Sequence, residues 1–254
     1  MPRHKSDAVW ERFGKTDPYY GVLSEDKYRS GKLTDATLAE FFETGRHHVA
    51  ATLERASRHF GELPGMQSAL DFGTGVGRVA IPLAERFERV TGVDISPSMI
   101  AEARKNCAIR QISNITFVLS DDMLSSINDR FDFVHSLYVF QHMTPQRGYE
   151  IIDRLLDLLK PGGIVAIQIN SARKAPPLRR AFRHARGVLP PLNLLTNIAL
   201  GKPWREPLME MNDYDLNRLA LLMLKRGLPR FFVGVSQADG FVSAYVIAKR
   251  DQSV

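Results

Sequence analysis

A chain of 254 residues, 44% hydrophobic and 24% charged, is long enough to bury one substantial core and reads as a single α/β domain with elaborations. Its one cysteine, Cys107, excludes an intrachain disulfide framework and any multi-cysteine zinc site, and suits a reducing cytoplasm. The formal charge of +6 is local: eight Lys/Arg and no Asp or Glu lie between Arg173 and Arg205.

Residues 1–60 read as a mostly helical cover, with Leu38–Phe60 the clearest helix, and 61–254 as the main domain. The first residues, Met1 to Asp7, are polar and lead into no apolar core, which argues against a secretory signal. No apolar run approaches the roughly 20 residues of a membrane span. From Ser68 onward, apolar runs alternate with helical patterns. Ser68–Phe72 reads as a buried strand, Val76–Arg86 as a helix with Pro82 in its first turns, and Arg89–Asp94 as a second strand. Ser96-Pro97 is a cap followed by proline at the first helical position, opening a helix through Cys107. Ile115–Leu119 and Phe131–Ser136 follow as strands, and Thr144-Pro145 repeats the cap signal. The helix it starts carries Ile151, Ile152, Leu155, Leu156 and Leu159 at 3–4 spacing and stops at Lys160-Pro161-Gly162-Gly163. Ile164–Ile169 is a fifth strand. Such β–helix–β alternation predicts parallel strands with right-handed crossovers.

Beyond it, 171–211 is too long for a plain connection and is expected to be an insertion with its own structure. Asn212 is the expected cap of a helix running to Arg226 and closed by Gly227. Phe231–Ser236 and Phe241–Arg250, joined by Gln237-Ala238-Asp239-Gly240, read as a hairpin that adds an antiparallel strand. The predicted architecture is a Rossmann-like, doubly wound, mostly parallel sheet.

Three strand tips carry chemistry. After the first strand comes Asp71-Phe72-Gly73-Thr74-Gly75-Val76-Gly77, glycines that let the backbone turn sharply and approach a ligand at a helix N-terminus. Arg78 follows where the dinucleotide fingerprint GxGxxG leads on to its last glycine, so a nicotinamide cofactor is the weaker reading. The second strand ends at Asp94, before Ile95, where a carboxylate accepts from ribose hydroxyls. Past the third strand stand Ser120-Asp121-Asp122-Met123. Asp121 is the expected partner of an adenine amino group and Asp122 the expected cap.

In this order, with Phe131-Asp132-Phe133-Val134-His135-Ser136 and Leu159-Lys160-Pro161-Gly162-Gly163, the chain resembles the class I S-adenosylmethionine-dependent methyltransferases, tightly over Ser68–Ile169 and loosely over Asn212–Arg250. The resemblance implies S-adenosylmethionine as cofactor and S-adenosylhomocysteine as product. It places Asp71, Gly73, Thr74, Gly75 and Gly77 by the methionine part, Asp94 and Ile95 on the ribose, and Asp121, Asp122 and Met123 at the adenine. Ser136, Leu137 and the residues to His142 would line the sulfonium and acceptor side. Thr16 to Leu23, with Glu40 to Gly45, resembles an N-terminal cover of some bacterial members whose aromatic side chains close over the cofactor, with Tyr20 the expected one here.

Methyl transfer leaves the protein mainly positioning and the exclusion of water. His142 is the leading general-base candidate and competes with a purely structural role, while Tyr138, Tyr19 and Tyr20 orient an acceptor or pack. His47-His48 read as surface or packing residues, and no carboxylate–histidine cluster suggests a metal. A helix over Pro177–Leu189 sets Leu178, Ala181, Phe182, Ala185 and Leu189 on one stripe beside Arg179, Arg180, Arg183, His184 and Arg186. The stripe packs on the core, or else the helix covers the acceptor pocket, binds a phosphorylated substrate or rests on an anionic membrane through 173–205. Leu192–Leu200 reads as a lid.

The expected function is methylation of O or N on a small-molecule or glycan/lipid-linked acceptor, by a cytoplasmic enzyme with a peripheral contact at the inner membrane face. The alternatives are an NAD(P)-dependent oxidoreductase and a non-catalytic scaffold that binds the same cofactor. A nucleic-acid acceptor is disfavoured, because Ser136-Leu137-Tyr138-Val139 lacks the Pro-Pro-aromatic arrangement of adenine-amino methyltransferases and Cys107 lies in a helix.

Overall fold

Strands covered by helices on both faces are shielded along their whole length, and β1 (Ser68–Phe72) and β4 (Phe131–Ser136) are buried at every position, the polar Asp71, Asp132 and His135 included. The computed structural model describes residues 4–63, 65–174, 176–238 and 240–252. Met1 to Arg3, the hairpin residue Asp239 and the side chains of Arg179 and Arg180 lie outside the described residues.

With β2 (Arg89–Asp94), β3 (Ile115–Leu119), β5 (Leu159–Arg173), β6 (Phe231–Ala238) and β7 (Phe241–Lys249), these strands form a seven-stranded sheet ordered β3-β2-β1-β4-β5-β7-β6. β1 to β5 run parallel, and β7 is antiparallel to both of its neighbours. The order reverses between β1 and β4, so a crevice opens at their carboxyl ends.

The chain enters through α1 (Lys5–Thr16), α2 (Pro18–Val22) and the long α3 (Asp35–Phe60), then crosses between strands by α4 (Ala80–Ala84), α5 (Pro97–Ile109) and α6 (Pro145–Asp157). α7 (Pro177–Val188) and α8 (Pro190–Ala199) make up most of the insertion, and α9 (Leu216–Lys225) precedes the hairpin. Two cores sandwich the sheet. Ile152, Leu155, Leu219 and Met223 of α6 and α9 meet Leu70, Val134 and Val165 on one face. Val49, Leu53 and Leu83 of α3 and α4 meet Phe133, Ile164 and Ile247 on the other. A third cluster gathers Phe13, Tyr19, Tyr28 and Phe41 of the N-terminal segment against Met99 of α5.

Three local expectations change. The helix expected over Val76–Arg86 is regular only at Ala80–Ala84, because Gly75 and Gly77 take φ of 54° and 89° and Pro82 has no N–H to give the Arg78 carbonyl. α3 fills that gap: a Cβ on Gly45 would stand 1.9 Å from the Arg78 carbonyl oxygen. The Lys160-Pro161-Gly162-Gly163 stop lies inside β5 as an irregularity, where pairing with β4 jumps from Phe131–Leu159 to Phe133–Ile164. The cap of α9 is Asp215, whose side chain accepts from the Asn217 N–H at 2.8 Å; Asn212 instead donates its N–H to the Gln141 carbonyl at 2.7 Å. The Leu192–Leu200 stretch belongs to α8, started by Pro190 and Pro191. Ser96 caps α5 as expected, accepting from the Met99 N–H at 3.1 Å.

Candidate active site

The three tips meet, with that of β4, in one cleft of about 780 Å³, counting its open mouth, at the carboxyl ends of β1, β2, β3 and β4. Of the expected residues, Gly73, Gly75, Asp94, Ile95, Asp122, Leu137, Tyr138 and His142 line it. The N-terminal helices add Ser6, Asp7, Trp10 and Val22, and α6 adds Arg147.

The glycine turn is folded back on β2, since the N–H groups of Gly73 and Thr74 both donate to the Val93 carbonyl at 2.8 and 2.9 Å. Gly73 has φ of 74°, and a Cβ there would stand 2.2 Å from Val139, so only glycine fits. Asp94 binds the turn to the next helix: Oδ2 accepts from the Gly75 N–H at 2.8 Å and Oδ1 from the Ser96 N–H at 2.9 Å. Burial pushes its carboxyl up to about 6 despite these bonds.

Asp71 lies behind the turn. Its Oδ1 accepts from His135 Nδ1 at 2.9 Å, His135 Nε2 meets His48 Nε2 at 2.9 Å, and the Tyr245 hydroxyl is 3.3 Å further on. His48, read from sequence as surface or packing, is thus part of a buried polar chain, and burial with the neighbouring His135 pushes it down to about 2. Among the described residues, Asp71 Oδ2, Thr74 Oγ1, Ser136 Oγ and Arg78 Nε are buried without a partner. Arg78 is 4% exposed, gives one hydrogen bond to Thr44 Oγ1 at 3.3 Å, and lies 6.0 Å from the Tyr138 ring. Tyr138 has φ of 61° and takes the Gln168 side-chain oxygen on its N–H at 3.1 Å.

Past β3 only one of the two acids lines the cleft. Asp121 is exposed and caps, accepting from the Ser125 N–H at 2.9 Å, a bond that holds its carboxyl below the usual range. Asp122 lines the cleft, paired with Arg147 at 2.6 Å and with His4 at 3.1 Å. Met123 is exposed, and Gly77, Thr74 and Ser136 are buried off the cleft wall.

Arg147 also pairs with Asp7 of α1 at 2.8 Å, so it fastens α1 across the cleft. Trp10 is the aromatic of the N-terminal helices that lines the cleft, edge-on to His142 with ring centroids 4.7 Å apart. Tyr20 packs away from the cleft beneath the Arg29 guanidinium, 3.7 Å from its ring. Tyr19 donates to Glu102 at 2.9 Å, and burial pushes its hydroxyl up to about 12. His142 is buried with Nδ1 2.7 Å from the Glu210 carbonyl and Nε2 3.1 Å from Gln141 Nε2. Burial pushes it down to about 4, so the ring is neutral at pH 7, with Nδ1 donating and Nε2 accepting.

Trp10, Asp7 and Arg147 carry no motif, and Arg78 had served only to break the dinucleotide fingerprint. The Thr144-Pro145 helix start just ahead of Arg147 is the nearest local signal to any of them.

This sheet order, with an antiparallel β7 and a cleft at the glycine turn, defines the class I S-adenosylmethionine-dependent methyltransferase fold. Residues 69–163 match the family described as "Methyltransferase domain", and this part of the chain is such a domain. The malonyl-[acyl-carrier protein] O-methyltransferase of Enterobacter lignolyticus is 28% identical over 184 residues, 72% of this chain and 61% of that protein. The demethylmenaquinone methyltransferase of Tropheryma whipplei is 30% identical over 166 residues, 63% of this chain and 66% of that one. The crystal structure of magnesium protoporphyrin IX methyltransferase from Synechocystis with bound SAH superposes with a TM-score of 0.61 at 20% identity, covering 96% of this chain and 99% of that one. The chain spans 25% to 66% of the length of the curated relatives it first matches.

Proposed function

We propose that the protein is an enzyme that transfers a methyl group from S-adenosylmethionine to O or N of a small-molecule or glycan/lipid-linked acceptor. The observation that carries this is Asp94, a buried carboxylate at the β2 tip that faces the cleft while holding the glycine turn. Ribose hydroxyls donated to it would offset part of the burial that raises its pKa. The cofactor fits the residues present: Gly73 lets a ligand reach the backbone, Gly75, Asp94 and Ile95 line the same cleft, and Asp71, Thr74, Ser136 and Arg78 keep unpartnered polar atoms in the layer behind its wall. Each such atom costs about 1–3 kcal/mol unless something bonds to it.

Asp71 suits an ammonium and Arg78 a carboxylate, whereas Asp122, on the cleft side, replaces Asp121 as the residue for the adenine end. When bound, the cofactor supplies an electrophilic methyl on a sulfonium. The protein's part is to orient, and to exclude water beneath α1. His142 has low basicity and its Nε2 already takes the Gln141 side-chain N–H, which favours acceptors that need no base, neutral amines or oxygens that are already ionised.

Calorimetry checks the reading: S-adenosylhomocysteine binds and NAD(P) does not, and Asp94→Ala loses at least ~1–3 kcal/mol of that affinity. Binding of NAD(P) alone selects the oxidoreductase, and cofactor binding with no turnover on any acceptor selects the scaffold. For the insertion, a peripheral membrane contact is favoured by Leu178, Phe182, Leu195, Ile198 and Leu200, all turned to solvent. No helix among the described residues is long and apolar enough to cross a membrane. Co-sedimentation with anionic liposomes that weakens with salt is the expected result, and no sedimentation removes this contact.

A further inference from the structure

A second cavity opens on the neighbouring face of α1. Lys5, Val9 and Arg12 turn toward it, whereas Ser6, Asp7 and Trp10 turn toward the cleft. It measures about 2030 Å³ with its open mouth and is walled by α7, α8 and residues 204–212. The two cavities share a boundary, because His142 of the cleft is bonded to the carbonyl of Glu210, which lines the second cavity.

Five arginines line it, Arg12 and Arg205 among them, and three come from the wall built by β5 and α7: Arg173 from the end of β5, and Arg183 and Arg186 from α7. Their donors go mostly to neutral oxygens. Arg183 Nη2 donates to the Met209 carbonyl at 2.6 Å, Arg186 Nη2 to the side-chain oxygens of Asn193 and Asn197 at 2.9 and 3.1 Å, and Arg173 to the Met211 carbonyl. Only Arg173 reaches a carboxylate, Asp213 at 3.5 Å. Two acids share the wall with these arginines, Glu206, already held by Arg29 and Lys202, and Glu210. Burial, with the charges of Arg173 and Arg186, pushes the Arg183 guanidinium below its usual range.

The orientation of α7 sharpens the point. Its Leu178 and Phe182 are exposed at 82% and 47%, while Arg183 and Arg186 face the cavity. A helix that exposes its apolar stripe and gathers like charges inward runs against both partition and Coulomb repulsion. A bound anion offsets the second cost, and guanidinium forks match carboxylate and phosphate oxygens.

We propose that this chamber seats the anionic group, carboxylate or phosphate, of the acceptor, with Arg173, Arg183 and Arg186 as its ligands. The proposal rests on the methyltransferase reading and assigns it an acidic acceptor.

The test is calorimetric titration of the full chain with citrate and with inorganic pyrophosphate, at saturating S-adenosylhomocysteine. One anion or both bind, and the double variant Arg183→Met/Arg186→Met binds at least about tenfold more weakly, as expected from losing charge-assisted bonds. Its affinity for S-adenosylhomocysteine stays within about twofold of the parent, since neither arginine lines the cleft. Should the double variant not fold, Arg183→Gln alone reads the same loss. Undiminished anion binding in a folded variant, or no uptake of either anion by the parent, overturns the proposal. Binding only to phosphatidylcholine vesicles containing phosphatidylserine, with none to the free anions, also overturns it, because the anion is then recognised at the surface. A parent that binds these anions but not S-adenosylhomocysteine supports the chamber and sinks the methyltransferase reading instead.

Discussion

Asp94 is the residue on which site and stability pull in opposite directions. Its carboxyl titrates near 6 in the folded chain, above the ordinary 3.8, because burial disfavours the charge. A raised folded pKa means that the folded state holds the proton more tightly, so this group's contribution to stability grows as pH falls from about 6 to about 4. Ligand hydroxyls, in contrast, need the ionised form. Affinity for S-adenosylhomocysteine is therefore expected to fall below pH 6 while the apo protein gains stability from this group. Parallel calorimetry and thermal melts across this range check both signs, and affinity independent of pH would remove Asp94 from the ligand. Gly73 is the second decisive residue. Gly73→Ala forces a Cβ toward Val139 in a left-handed backbone, with an expected loss of about 1–3 kcal/mol in stability and weaker cofactor binding.

Between elements, two contacts decide how the cover sits. Gly45 lets α3 approach the carbonyl that Pro82 leaves free, and Gly45→Ala sets a methyl 1.9 Å from that oxygen. The expected result is a lower melting temperature from displaced packing, about 1–3 kcal/mol, read by thermal denaturation. Arg147 holds α1 through Asp7 and reaches Asp122 on the loop after β3. Asp7 and Arg147 are almost fully buried, so Arg147→Met leaves a buried carboxylate unpaired, at a cost of about 3–5 kcal/mol. Hydrogen exchange should then rise in α1 before it rises in the sheet. Unchanged protection of α1 would mean that Trp10 and the Phe13 cluster hold the cover without the ion pair.

Over the whole molecule, a ligand that binds only the folded chain adds about 2.7 kcal/mol at a concentration of 100 Kd. For a chain of 254 residues this corresponds to a rise in melting temperature of about 5–10 °C with S-adenosylhomocysteine. No rise would contradict the cofactor assignment. The sheet and its glycine turn were legible in the linear chain because their signals are local: apolar runs, turn glycines and strand-tip acids each lie within a few residues of one another. Which of Asp121 and Asp122 faces the cleft was not legible, because Asp122 is held there by Arg147, which arrives from α6. Trp10 was not legible either, since it reaches His142 only by packing between distant segments. The pattern of α7 likewise determined that the helix has two faces but said nothing about which one turns inward. What the sequence determined by itself was the order of elements and the acids at their tips. The cover, its Arg147 fastening and the inward arginines were decided by tertiary structure, because burial and charge pairing depend on neighbours far away in the chain.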